Sequence, residues 1–286
     1  MNAIRHANQL IELIENDDRV VVAFSGGVDS SVVAAAAKRS KVDAIAVTAR
    51  SPSVAKWQQD WAVKIAAEIQ IEHQFVETDE TALPEYQRND SQRCFYCKQT
   101  LYQSLAAIAA CQGNKAESRV ILSGTNADDL GDHRPGIQAG TLAGVKTPLA
   151  ELGFGKKEVR ELAVHFGLSN HDLPASPCLA SRVAYGVEVT PERLGQIELA
   201  EDWLRAQQFS DCRVRLHADS LVRVEVPPAE VARLMDQGLA AEMTRRFQSI
   251  GFRYVTLDLQ GLRSGSLNDA LVAIGTNQDD VLESRF

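Results

Sequence analysis

The stretch VVAFSGGVDSS, residues 21–31, restricts the possible folds of this chain more than any other. A run of β-formers stops at Ser25, two glycines follow, and Asp29-Ser30-Ser31 open an alanine-rich helix. Glycine reaches backbone conformations closed to other residues, so successive N–H groups can converge on one point. The helix dipole adds positive potential there. The joint therefore predicts an anion site where a strand hands over to a helix. It is neither a Walker A loop, because the lysine of that pattern is missing, nor a G-x-G-x-x-G dinucleotide turn.

The surrounding pattern supplies the architecture. Strands are predicted at 19–25, 43–50, 71–78 and 119–125, and helices at 30–40, from Ser51-Pro52 onward, at about 95–111 and at about 155–167. The helix from Ser51 places Val54, Trp57, Trp61, Ile65 and Ile69 on one stripe, with a proline at its first position. An amphipathic helix precedes them, with Ile4, Ala7, Leu10, Ile11 and Ile14 inward. Strands alternating with helices predict an α/β, doubly wound parallel sheet whose ligands sit at the carboxyl ends of its strands. Beyond residue 170 the grammar changes. An irregular stretch leads to a helix capped at Thr190-Pro191-Glu192, a hairpin of 212–218 and 221–227, a long helix at about 228–249 and a strand at 253–259. This divides the chain into a nucleotide domain, 1–170, and a smaller C-terminal α+β module, 171–286.

The formal net charge of −8 argues against a generally basic nucleic-acid or membrane-surface protein. No apolar run approaches a membrane span, and the first residues carry acids rather than an apolar signal core. A cytoplasmic location is expected, where the five cysteines would stay reduced and serve as ligands, nucleophiles or filler.

SGGVDSS resembles the pyrophosphate-binding loop of the ATP pyrophosphatase, or PP-loop, superfamily, which includes NAD and GMP synthetases, asparagine synthetase and tRNA thiolation enzymes. The resemblance implies an adenine nucleotide alpha hydrolase-like fold that cleaves ATP to AMP and pyrophosphate while adenylating an acceptor. It places Ser25, Gly26, Gly27, Asp29 and Ser30 on pyrophosphate, with Asp29 near Mg²⁺. It places adenosine contacts at Thr48 and Arg50, and in SGTNADD at Gly124, Thr125, Asn126 and Asp128.

Further segments narrow the likeness: RCFYCK with Cys94 and Cys97, SPCLASRVAYG with Cys178 and Arg182, SGTNADDLGDHRPG, and LDLQGLRSGSLN at 257–268. Together they resemble, nearly end to end, the LarE family of sacrificial sulfur transferases, which serves the nickel-pincer nucleotide cofactor of lactate racemase. That likeness implies adenylation of a carboxylate of pyridinium-3,5-biscarboxylic acid mononucleotide and its conversion to a thiocarboxylate. One form of the family uses a single cysteine, equivalent to Cys178, which gives up its own sulfur and becomes dehydroalanine. The C-x-x-C pair here matches the three-cysteine form, in which Cys94, Cys97 and Cys178 would hold a [4Fe–4S] cluster with one iron open. The resemblance also assigns Arg213 and Arg215 to the substrate phosphate, Glu201 and Glu230 to metal, and a homohexameric assembly.

The residues carry part of this argument alone. A carboxylate accepts sulfur only once its oxygen can leave, and adenylation achieves that. The incoming sulfur must be a thiolate or sulfide, favoured by positive surroundings, and Cys178 lies four residues before Arg182. The C-x-x-C pair is also open to being half of a zinc site, completed by Cys178 and His171, or a redox pair. Arg213 and Arg215 alternate onto one strand face, which suits a phosphate monoester or a solvated surface. A tRNA thiolation enzyme and a non-catalytic nucleotide-binding module are the rival functions. The mononucleotide is the expected partner, with no nucleic acid and no membrane.

Overall fold

The computed structural model describes residues 2–111, 119–131, 135–174 and 176–263. In chain order these form α1 (Asn2–Ile14), β1 (Arg19–Ala23), α2 (Val28–Arg39), β2 (Asp43–Arg50), α3 (Lys56–Ile69), β3 (Glu72–Glu77), α4 (Pro84–Gln87), α5 (Arg93–Cys111) and β4 (Val120–Leu122). Then follow α6 (Pro135–Leu142), α7 (Pro148–Glu151), α8 (Lys156–His165), α9 (Pro191–Ala206), β5 (Arg213–Leu216), β6 (Leu221–Glu225), α10 (Val231–Leu234), α11 (Gln237–Ile250) and β7 (Tyr254–Leu257). The chain divides into two compact units, Met1–Cys178 and Leu179–Phe286, so residues 171–178 pack with the nucleotide unit.

The first unit is an α/β layer structure around a parallel sheet of order β3-β2-β1-β4. β-Branched residues in β1 alternate between its faces. Val20 and Val22 meet α1, α2, α3 and α8, while Val21 joins Ile45, Val47, Tyr102, Leu105 and Ala139 on the other side. Helix α2 is buried all round through Ala34–Ala37, which lets it lie close against the sheet. The chain moves outward from β1 to β2 and β3, then returns to pair β4 on the opposite edge of β1. The β1/β4 seam is thus a topological switch point, where the loops diverge and leave a crevice.

The second unit is an α+β module with sheet order β5-β6-β7. Its β5–β6 hairpin is antiparallel, and β7 runs parallel to β6. The hairpin turn uses left-handed backbone at Asp219 and Ser220.

Several sequence expectations need correction. Ile4 is 56% exposed rather than inward, and α1 buries Ala7, Leu10 and Ile14 instead. Helix α3 starts at Lys56, not Ser51: the Ser51 and Ser53 hydroxyls donate to buried Glu80, and Ser51 Oγ accepts from the Ser53 amide in a turn ahead of the helix. The helix expected over 228–249 is broken, since the Asp236 carboxylate accepts from the Gly238 and Leu239 amides and starts α11 afresh. Strand β4 ends at Leu122; beyond it, Ser123 N–H donates to the Lys146 carbonyl.

Candidate active site

The loop after β1 is built as a nest. Gly26 has φ +72°, and a Cβ there would stand 2.8 Å from the Ala62 Cα, so this position requires glycine twice over. The Ser25 and Ser30 hydroxyls lie 3.2 Å apart, the Ser25 amide donates to Ser30 Oγ, and Ser30 Oγ donates to the Gly27 carbonyl. The loop is thereby pre-shaped around the N-terminus of α2. The loop after β4 closes against it: a Cβ on Gly124 would lie 2.6 Å from the Ser30 nitrogen, and Asn126 Nδ2 donates to Asp29 Oδ1 at 2.8 Å. Burial pushes the Asp29 pKa up; the Asn126 hydrogen bond opposes this, and the Asp129 charge adds to it. Two carboxylates that interact electrostatically beside an anion nest suit a divalent cation carried with a polyphosphate.

The nest forms the floor of a cleft of about 390 Å³, walled by Trp57, Gln58, Trp61, Lys156, Arg160 and Pro177. Lys156 opens α8, and its amide donates to Asp128 Oδ2 at 2.7 Å, so Asp128 acts here as a helix anchor. At the end of β2, Thr48 Oγ1 lies 2.8 Å from His73 Nε2, and burial lowers the His73 pKa. Arg50 stacks over Phe75 at 4.1 Å and pairs with Glu77 at 3.3 Å. Thr125 bonds Ser123 through their hydroxyls at 3.0 Å.

The same unit brings three thiols into one electrostatic neighbourhood. Cys94 is exposed, whereas Cys97 and Cys178 are partly so. Burial pushes the Cys97 thiol up to about 12; the Lys98 ammonium pulls it down, while Cys178, Glu80 and Cys94 push it further up. Burial lowers the Arg93 pKa, but Cys178, Cys94 and Tyr86 outweigh that and the guanidinium stays firmly charged. Tyr86 is raised by burial and then by Cys178, Cys97 and Glu80, with Arg93 opposing. Among the described residues, no three His, Cys, Asp or Glu side chains are grouped closely enough to hold a single metal ion. His171 is thus not assembled with these thiols around one ion.

In the second unit, arginines and carboxylates form a buried network. Arg182, 2% exposed, pairs with Glu201 at 2.9 Å, and Glu201 also accepts from Arg205 and from the Val214 amide. Arg213 donates to Asp211 and to the Cys212 carbonyl; Arg215 donates to Glu225 at 3.1 Å and to the Ser181 carbonyl at 2.9 Å. Arg215 sits opposite Arg223 across the hairpin, and Arg223 also reaches Glu225 and Asp258. Glu230 is used elsewhere, accepting from the Ser210 amide and hydroxyl.

Residues 11–134 match the asparagine synthase family. A pyridinium-3,5-bisthiocarboxylic acid mononucleotide synthase of Lactiplantibacillus plantarum is 36% identical over 264 residues, covering 92% of this chain and 93% of that protein. The chain belongs to the LarE family. An uncharacterised protein of Synechocystis sp. is 42% identical over 89% of this chain and 93% of its own length. One from Methanocaldococcus jannaschii is 25% identical over 91% of this chain and 97% of its own.

In this LarE-family chain, the structure gathers the residues expected for the nest, the strand-end loops and the thiols within one unit. It places Glu201 and Glu230 in separate hydrogen-bonded settings. The reading missed Lys156, Arg160, Trp57 and Trp61 as cleft walls. For the tryptophans a signal existed, since the stripe carries two indoles where the facing helix α2 presents alanines. The side chain of Cys111, residues 132–134 and residues 264–268 lie outside the described residues. Cys212 is 2% exposed and bonded to the Glu201 carbonyl, a packing role.

Proposed function

We propose that this protein is an ATP-dependent sulfur transferase that converts pyridinium-3,5-biscarboxylic acid mononucleotide to its thiocarboxylate form. The observation that carries this is the intact nest, closed by Gly124 and Asn126, in a chain that matches the Lactiplantibacillus synthase along 92% of its length.

The substrate carboxylate attacks the α-phosphorus of ATP, the bond to the β,γ-pyrophosphate breaks, and an acyl adenylate forms. Ser25, Gly26, Gly27 and Ser30 hold the leaving pyrophosphate, and Asp29 with Asp129 holds the Mg²⁺ that travels with it. Thr48, Arg50, Gly124, Thr125 and Asn126 border the adenosine, and Asp128 secures Lys156 beside the phosphates. A sulfur nucleophile then attacks the acyl carbon and AMP leaves. Arg213 and Arg215, with Arg182 behind them, hold the substrate phosphate through guanidinium forks that suit its oxygens.

Cys94, Cys97 and Cys178 fit a [4Fe–4S] cluster better than free thiols. A Cys97 thiol held near 12 is protonated at neutral pH, and a bound metal supplies the charge that makes it a thiolate. When bound, such a cluster supplies an open iron able to carry sulfide from an external donor. We further propose cytoplasmic residence and homo-oligomeric assembly, a homohexamer by family likeness. No described helix is long and apolar enough to cross a membrane.

The test is product analysis with ATP, the mononucleotide acid and sulfide. AMP, pyrophosphate and a thiocarboxylate support the proposal. ADP with phosphate as main products, or stimulation by tRNA instead of the mononucleotide, overturns it.

A further inference from the structure

The segment that leads into Cys178 is fastened to the nucleotide site at three points. Asn170, 1% exposed, donates from Nδ2 to the Gly26 carbonyl and to Ser31 Oγ, both at 2.9 Å. Arg160 donates to the His171 and Leu173 carbonyls at 2.9 and 3.3 Å. Gln58 donates to the Ser176 carbonyl at 2.9 Å and to its hydroxyl at 3.3 Å. Leu173, Pro174, Ser176 and Pro177 are themselves walls of the cleft above the nest.

The Asn170 contact acts on a peptide whose orientation matters. A peptide group is planar, so fixing the Gly26 carbonyl fixes the Gly27 N–H on the opposite side of the same plane. Gly26 stands at φ +72°, and the peptide that follows it is held at both ends, by Asn170 on the carbonyl and by Ser25 Oγ, which accepts from the Gly27 N–H at 3.3 Å until a ligand takes that donor. The side chain is not a fully satisfied packing element. Its Oδ1 is buried without a partner, a cost the fold carries while keeping the amide's two donor contacts. A residue retained at that cost, touching the nest at one end and heading the run to Cys178 at the other, links the two.

We infer that Asn170 is a positioning residue that couples occupancy of the pyrophosphate nest to the placement of Cys178, with Gln58 as the second anchor. Pyrophosphate drawn onto the Gly27 N–H pulls on the Gly26 peptide, and Asn170 passes that displacement to the segment ending at Cys178. The inference rests on the reading of Cys178 as a sulfur-handling thiol, but the linkage can be measured without sulfur transfer.

The experiment follows the alkylation rate of Cys178 by iodoacetamide in the full-length, metal-free protein, read by peptide mass spectrometry with and without Mg²⁺ and inorganic pyrophosphate. In wild type, pyrophosphate should change that rate several-fold. In Asn170→Ala and in Gln58→Ala the response should be lost at pyrophosphate concentrations that calorimetry shows to saturate each variant. In the working enzyme both variants should release more pyrophosphate per thiocarboxylate, because the adenylate then meets water instead of sulfur. Gln58→Ala keeps the Gly26 contact and carries the test where Asn170→Ala does not fold. An unchanged wild-type rate, or an equal response in wild type and Gln58→Ala, overturns the inference. A lost response in the variants with no sulfur transfer by wild type supports the linkage and removes the proposed function instead.

Discussion

Asp29 shows what a reactive site costs at the level of one residue. Burial raises its pKa, and the Asn126 bond only partly offsets this. Because the folded value lies above the unfolded one, the linked stability is complete at low pH and is lost as pH rises through the folded value. At neutral pH the charge is therefore a burden to the empty protein. Asp29→Asn keeps the oxygen that Asn126 contacts and should stabilise the ligand-free protein by on the order of 1 kcal/mol while abolishing Mg²⁺-dependent pyrophosphate release. Thermal unfolding and a pyrophosphate assay read both; a variant that is active, or less stable, removes Asp29 from this role. The arginines invite the complementary test. Arg213→Ala removes the proposed phosphate contact, so affinity for the mononucleotide should fall by about 1.5–3 kcal/mol with the KM for ATP little changed. Arg215 is a less clean probe, since it also neutralises Glu225, a fully buried carboxylate.

At the scale of elements, the start of α3 explains what local sequence conveys and what it does not. Ser51-Pro52 carries the usual signs of a helix start, yet the hydroxyls of Ser51 and Ser53 both lie 2.6 Å from Glu80 Oε1. A carboxylate from beyond β3, far along the chain, holds both hydroxyls in a turn where Ser51 Oγ accepts from the Ser53 amide, and helix α3 begins at Lys56. Such a contact has no local signature. By contrast, the strands of the first sheet and the glycine joint were legible because alternation of buried valines and positive-φ glycines are local requirements. The residues the reading overlooked, Lys156 and Arg160, join the site only through the return of α8, another long-range event. Glu80→Ala would leave two buried hydroxyls without their acceptor, so a loss of about 1–3 kcal/mol is expected. Chemical denaturation measures it, and a neutral result would mean that the two serines re-pair locally as a helix cap.

For the whole molecule, the sharpest question is whether one chain can act more than once. If Cys178 alone supplies sulfur, its Cβ–S bond breaks, the residue ends as dehydroalanine, and each chain makes at most one thiocarboxylate. If Cys94, Cys97 and Cys178 share a cluster, none of them is consumed and product is set by external sulfide. The structure bears on this choice through charge. Burial pushes the partly exposed Cys97 thiol up to about 12, and a metal bound there would displace its proton. The Arg93 guanidinium, held charged by Cys178 and Cys94, offsets part of the negative charge that three thiolates would bring. Anaerobic reconstitution with iron and sulfide should therefore give brown protein that makes several thiocarboxylates per chain. Cys94→Ala and Cys97→Ala should each lose most of the iron and drop to one turnover or none, with Cys178 losing the elements of H₂S by mass. A wild-type protein that stops at one product per chain, with Cys178 converted and iron unchanged by Cys94→Ala, would establish the sacrificial route in place of the cluster.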